Sequence, residues 1–300
     1  MIILGLNYFY HDSTACLVEN GDLTIAIEEE RLTRDKHTTN FPVKAIERCL
    51  QERAIDHDQI DVIAISASPS LDWDKRARYI LRHFPKSIPL LKYELMLYIR
   101  RRKALQGWLA KTWPDRNHRP RIEYVPHHLS HAAGSFLVSP YESAAVLSVD
   151  GSGEWASTMM AHGKGTQVAP LSQSYFPMSL GSVYEAVTQF LGFKPCYDEG
   201  KTMGLAPLGD ASVFEAQVRQ ILSVDQEGQL SVDLSYFQYQ YWHENYLSPS
   251  FIDEFGAPRA NSKAPFEKHH HDVAAAFQKV LEECCLQMAN IIHHKTREFY

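Results

Sequence analysis

Three hundred residues with 45% hydrophobic side chains and a formal net charge of −6 make a folded chain with room for two domains or one two-lobed unit. No stretch reaches the ~20 apolar residues needed to span a bilayer, and the mildly acidic balance argues nothing by itself. Five cysteines (Cys16, Cys49, Cys196, Cys284, Cys285) form no Cys-x-x-Cys pair and no even framework, which points to a reducing, cytoplasmic compartment.

The chain opens with MIILGLNYFYHDS, which lacks a basic leader and reads as a buried first strand followed by a polar loop over Asn7 to Ser13. TACLVEN and LTIAIEE then flank Asn20-Gly21, a hairpin signal because both turn positions need positive φ. In that polar loop His11 and Asp12 have two readings: a base or phosphate contact, or a capping Asp beside an exposed His. Glu28, Glu29, Glu30 and Arg31 lead to Arg34, Lys36 and His37. That cluster is a solvated surface, or it presents Lys36 and His37 to an anion while the acids hold them. VKAIERCLQERA, with Val43, Ile46 and Leu50 in helical spacing, predicts a helix after Phe41-Pro42.

From Lys75 to Arg121 the chain is dense in Lys and Arg, including Arg76, Arg100, Arg101, Arg102 and Lys103. The favoured reading is a solvated helical surface or subunit contact, with an anionic partner as the alternative. No aromatic-basic interleaving accompanies it, so nucleic-acid binding is not expected.

VPHHLSHAAGSFLV predicts a helix over about 128–138 beginning near Pro126. His127 and His131, four residues apart, share one helix face and can share a metal; structural histidines on a surface helix remain the alternative, and His128 is a rival ligand. Asp150, at the end of the strand AAVLSVD, would complete a two-His, one-carboxylate site suited to Fe(II), Mn(II) or Zn(II).

That strand starts a second copy of the opening plan: strand, polar loop GSGE, strand ASTMMAHG, a turn at Gly163-Lys164-Gly165 and strand TQVAPLSQS. Ser182 to Glu185 reads as a capping box opening a helix that ends at Gly192. CYDEGKTMGLAPLGD is glycine-spaced but is no Walker loop; it is a plain connection, or glycines at 200, 204 and 209 let backbone approach a ligand. The aromatic stretch around SYFQYQYWHENYL lacks a period. His269-His270-His271 reads as solvated, with metal binding as the alternative, and DVAAAFQKVLEECCLQMANIIHHKTREF as a long amphipathic helix.

A strand, loop and hairpin used twice is how each lobe of the actin/Hsp70-type (RNase H-like) α/β fold begins. The expected organisation is a first lobe over 1–143 with a basic helical insertion at about 72–121. A second, incomplete lobe is expected over 144–300, with an irregular insertion at about 208–265.

Together the motifs GLNYFYHDSTACLV, EEERLTRDKH, HHLSHAAGSF, VLSVDGSGE, GSVYEAVTQFLGF and DEGKTMGLAP resemble the O-carbamoyltransferases of nodulation factors, aminoglycosides and cephem antibiotics. They run collinearly over most of residues 1–210, and the final helix is also similar. The resemblance implies a two-step reaction. Carbamoyl phosphate and ATP give carbamoyl-adenylate on a separate C-terminal domain. The actin-like domain, similar to tRNA threonylcarbamoyl-transfer proteins, then passes the carbamoyl group to a small-molecule hydroxyl.

It also implies a divalent metal, iron first with zinc or manganese as alternatives, on His127, His131 and Asp150. His11 and Lys36 match positions near the carbamoyl and phosphate groups, and Lys201 and Gly204 match a cofactor-facing cleft loop. Our own inference makes His11, with Asp12, the base for the acceptor hydroxyl. The family's chain continues beyond Tyr300, so a second polypeptide or a homo-oligomer is expected to cover the second lobe. A non-catalytic complementing subunit, or an actin-like ATPase or kinase, are the other readings.

Overall fold

The computed structural model describes residues 1–9, 11–242 and 244–298. Its contacts divide the chain into two units, Met1–Leu71 with Leu91–Ser130, and Asp72–Leu90 with His131–Tyr300. Of the three boundaries, those after Leu90 and Ser130 fall inside helices, and that after Leu71 falls just before one.

In the first unit, β1 (Ile2–Asn7), β2 (Thr14–Glu19) and β3 (Asp22–Glu28) form an antiparallel meander. Asn20 and Gly21 take φ of 54° and 102°, as the hairpin signal predicts. After α1 (Glu29–Thr33) and α2 (Val43–Arg53), β4 (Val62–Ile65) joins β1 in parallel. The chain then passes through α3 (Trp73–Arg82), which belongs to the second unit, and α4 (Ile88–Thr112), which from Leu91 belongs to the first, before β5 (Arg121–Tyr124) extends the sheet. The order β3-β2-β1-β4-β5 joins an antiparallel half, the strand and hairpin that the opening residues predict, to a parallel half as in the actin-type fold. Leu4 and Leu6 of β1 share a core with Ala15 and Leu17 of β2, Ile46, Cys49 and Leu50 of α2, and Leu105 and Leu109 of α4. Strand alternation and helical spacing put those side chains on facing surfaces.

The second unit repeats the meander. α5 (His127–Phe136) leads to β6 (Ser143–Val149), β7 (Ala156–Lys164) and β8 (Gln167–Tyr175), ordered β6-β7-β8. Lys164, expected in the turn, instead pairs with Gln167 and Ser143, so the turn sits at Gly165 and Thr166. Alternation along β6 sends Ala144 and Val146 toward Ala132 and Phe136 of α5. Ala145 and Leu147 face the other way, into the larger core. That core is completed by α6 (Leu180–Phe190), α7 (Glu199–Leu205), α8 (Glu215–Ile221), the ladder of β9 (Leu222–Val224) and β10 (Leu230–Val232), α9 (Pro249–Phe255) and α10 (Lys268–Thr296).

The final helix forms as predicted, with Val273, Phe277, Val280, Cys284 and Met288 buried along one stripe. The aperiodic aromatic stretch packs into this core, where its Phe237, Tyr239 and Leu247 are buried beside Phe251 and Phe255 of α9. Its rings meet one another and Phe190 and Phe277, with Phe251 and Phe255 centroids 4.6 Å apart. Among the described residues, no helix is long and apolar enough to cross a membrane.

Candidate functional site

Asp150 follows β6 directly, and its position is set by the first turn of α6. Ser179 caps that helix, its Oγ accepting from the Ser182 amide at 3.0 Å. The same hydroxyl contacts the carbonyls of Asp150 and Gly151 at 3.1 and 2.7 Å, and the Ser182 hydroxyl donates to Gly151 at 3.4 Å. Gly181 lies so close that a Cβ there would meet the Gly151 nitrogen at 2.5 Å and the Asp150 carbonyl carbon at 2.6 Å. The Gly151 amide donates to Asp150 Oδ1 at 2.7 Å, which fixes the carboxylate's rotation.

The helix therefore begins at Leu180 and not at Ser182. The expected capping box is displaced: Ser182 is a first-turn residue, and Glu185 is no cap. The Glu185 carboxyl is instead enclosed beneath Gly151, where a Cβ would come within 2.7 Å of its Oε1. Burial first, then Glu199, pushes this carboxyl up to about 8; Asp150 adds to the rise and a hydrogen bond from Cys196 opposes it.

Facing Asp150 from α5 is His131, with Nε2 3.4 Å from Asp150 Oδ2. A hydrogen bond to Asp150 raises the His131 pKa against the opposing effect of burial, since the carboxylate favours positive charge on the ring. His127, one helical turn earlier, is 8% exposed. Ligand atoms of His127, His131 and Asp150 all lie within 4.8 Å of one another. Two donors each about 2.1 Å from one dication in tetrahedral geometry stand about 3.4 Å apart, so the His131–Asp150 spacing fits a shared ion. Two imidazoles and one carboxylate are the donor chemistry of Fe(II), Mn(II) or Zn(II). His128, the rival ligand, is 2% exposed and lies outside this donor set.

In the first unit, the polar loop is laced to the segment around His37. Asn7 Nδ2 donates to the carbonyls of His11 and Asp12 at 3.1 and 3.2 Å, and the Thr14 hydroxyl to that of Asp12 at 2.7 Å. The Ser13 amide reaches the Thr38 carbonyl at 3.0 Å, and the Phe9 amide that of Thr39 at 2.9 Å. Asp12 and His37 both hold positive φ, 55° and 54°, a conformation such bonding sustains. The Asp12 carboxylate bridges two imidazoles: Oδ2 to His11 Nδ1 and Oδ1 to His37 Nδ1, each 2.9 Å. Burial alone would raise the Asp12 pKa, but those two hydrogen bonds win and hold it below the usual range.

The neighbouring acids divide their work. Glu30 Oε2 accepts from the His37 amide at 2.8 Å, and Glu28 pairs with Arg31. Glu29, 4% exposed, accepts from the amides of Lys44 and Ala45 and so caps α2 from a distance. Lys36 is exposed on this loop.

The glycine-spaced segment departs from the expectation of an open loop. Gly200 and Gly204 lie on α7, and a Cβ at either would meet nothing within 4 Å. Lys201 Nζ is held 2.7 Å from Asp198 Oδ1. Gly209 alone of the three makes a close approach, to the backbone of α10, where a Cβ would meet the His271 oxygen at 2.0 Å. The histidine tract is also corrected. His270 is 3% exposed, its Nδ1 accepting from the Glu267 amide at 2.9 Å and its Nε2 lying 3.1 Å from the Ala257 carbonyl. It anchors the helix start and is not solvated.

Of the positioning residues, Ser179, Gly181 and Glu185 were missed as such. The available signal was the Ser-x-Gly-Ser run before an apolar helix, a pattern for a helix start pressed against another backbone.

A family model described as "Carbamoyltransferase N-terminus" matches residues 2–299. The chain is 33% identical over 298 residues to an uncharacterized protein of Synechocystis sp., covering 98% of this chain and 48% of that one. It is 32% identical over 288 residues to the nodulation protein NolNO of Sinorhizobium fredii, covering 96% of this chain and 39% of that one. The chain thus spans less than half the length of these relatives. A solved structure, YeaZ from Pseudomonas aeruginosa, aligns at 11% identity and a TM-score of 0.35, over 59% of this chain and 67% of that one.

Proposed function

This chain belongs to the carbamoyltransferase N-terminus family, and from that premise we propose that it serves carbamoyl transfer from carbamoyl phosphate, by way of carbamoyl-adenylate made with ATP, to a hydroxyl of a small-molecule acceptor. The observation that carries this reading is the donor set of His127, His131 and Asp150, built into a chain of this family. A divalent ion held there, iron first with zinc or manganese as alternatives, would polarise the carbamoyl carbonyl and offset charge on the departing phosphate.

The chain's own residues divide the remaining work. Asp12 holds the Nδ1 side of His11, leaving Nε2 as the basic nitrogen that takes the acceptor's hydroxyl proton. As that proton moves, the hydroxyl oxygen bonds to the carbamoyl carbon, and the bond from that carbon to the phosphate oxygen breaks. Lys36, exposed on the same loop, supplies positive charge for a phosphate group. Lys201 and Gly204 enter no step. We place activation with ATP outside this chain, on a further domain or a second polypeptide, in keeping with the greater length of the relatives.

The test is transfer itself. The chain is combined with the polypeptide encoded beside it, labelled carbamoyl phosphate, ATP and a panel of sugars and other hydroxylated small molecules. Label should reach an acceptor and fail to do so with His131→Ala. Equal transfer by the wild type and His131→Ala would reject the reading.

A further inference from the structure

One stripe of α4 lines a cavity that the transfer reading does not use. A cavity of about 360 Å³ lies within the first unit, at the carboxyl ends of the parallel strands β1, β4 and β5. Open α/β sheets bind ligands at that edge, and small-molecule sites begin at about 300 Å³. Tyr8 follows β1, Ile65 to Ala67 follow from β4, and Tyr124 ends β5; all of them line the cavity. The facing wall is one stripe of α4: Tyr98, Arg101, Arg102, Leu105 and Gln106, at helical spacings of three, four, seven and eight from Tyr98. Arg100 and Lys103 lie off that stripe and are exposed. The dense basic run is therefore not solvated throughout.

The charge of this lining is one-sided. Two guanidiniums enter it, and no Asp or Glu lies among the described lining residues. Arg102 Nη1 donates to the Tyr98 hydroxyl at 3.3 Å, which aligns one guanidinium along the wall. Burial, and then Tyr124, raise the Tyr8 pKa while Arg101 opposes them, so the phenol stays a neutral donor beside a cation. Tyrosine faces and Leu105 supply flat and apolar surface between the charges.

We propose that this cavity binds a small anion with a planar or apolar body, its carboxylate or phosphate group gripped by Arg101 and Arg102. A guanidinium pairs such groups through parallel hydrogen bonds, and the tyrosines flank the ligand's body. None of His127, His131 and Asp150 is among the described lining residues, and the proposal does not depend on the transfer reading.

Calorimetric titration with phenyl phosphate and with 4-hydroxybenzoate tests it, with 4-hydroxybenzamide as the neutral control. At least one anion should bind saturably at one site per chain, and the amide should not. Binding should weaken about tenfold or more in Arg101→Met and in Arg102→Met. Ser70→Trp, which fills the cavity, should abolish it. Arg102 is exposed, so its variant serves should Arg101→Met fail to fold. The better-bound anion identifies the group as phosphate or carboxylate. No saturable binding by either anion, or affinities unchanged in Arg102→Met and Ser70→Trp, would overturn the proposal.

Discussion

At the scale of single residues, Asp150 is held still by its neighbours. Gly181 is the tightest of them, since any side chain there must displace the Asp150–Gly151 backbone. Gly181→Ala should weaken metal binding by about 10–100-fold, the usual cost of disturbing a ligand's support, with the helix content unchanged. Titration with Zn(II) followed by a competing chelator reads the effect; wild-type affinity in the variant would contradict the role. Glu185 adds a pH dependence. Its folded value of about 8 lies above the 4.5 of a free carboxyl. Folding therefore favours the protonated form. That contribution is complete below about 4.5 and is lost as pH rises through about 8, by at most about 1.4 kcal/mol per unit. In metal-free protein the urea midpoint should fall over this window, and Glu185→Gln should flatten the fall; parallel profiles would refute the assignment. That His127 and His131 share one helix was legible from their four-residue spacing. Ser179 was not, because a Ser-x-x-Glu pattern three residues later mimics a helix start, and only packing against Gly151 decides between them.

At the scale of elements, helix ends carry much of the local order through residues distant in sequence. Pro42 offers α2 no side-chain cap, and Glu29 satisfies two of its first amides instead. Glu29→Ala leaves the buried Ala45 amide and the part-buried Lys44 amide without this acceptor and should cost about 1–3 kcal/mol, measured by urea unfolding. A change within experimental error would show that the cap is dispensable. Strands and the long amphipathic helix were readable because alternation and the 3.6-residue period are local signals. Glu29 as a cap and His270 as an anchor were not, since each depends on which backbone passes nearby. The same limit hid the aromatic stretch: its rings reach the core from short turns that have no period to detect.

At the scale of the whole molecule, the twice-used strand, loop and hairpin was visible in the sequence and is present in both units. The first unit adds two parallel strands; the second, among its described residues, shows the antiparallel meander and a two-stranded ladder. Family membership was likewise legible, because the motifs occur in order along the chain. The basic run was only half understood, for a charge count cannot tell which arginines face a cavity and which face water. The central claim is that His127, His131 and Asp150 hold one divalent ion. Metal content of the purified chain after loading with Fe(II), Mn(II) or Zn(II), and desalting, tests this most directly. About one ion per chain is expected in the wild type, with background levels in both His131→Ala and Asp150→Asn. Undiminished metal in those two variants, or none retained by the wild type, would contradict it.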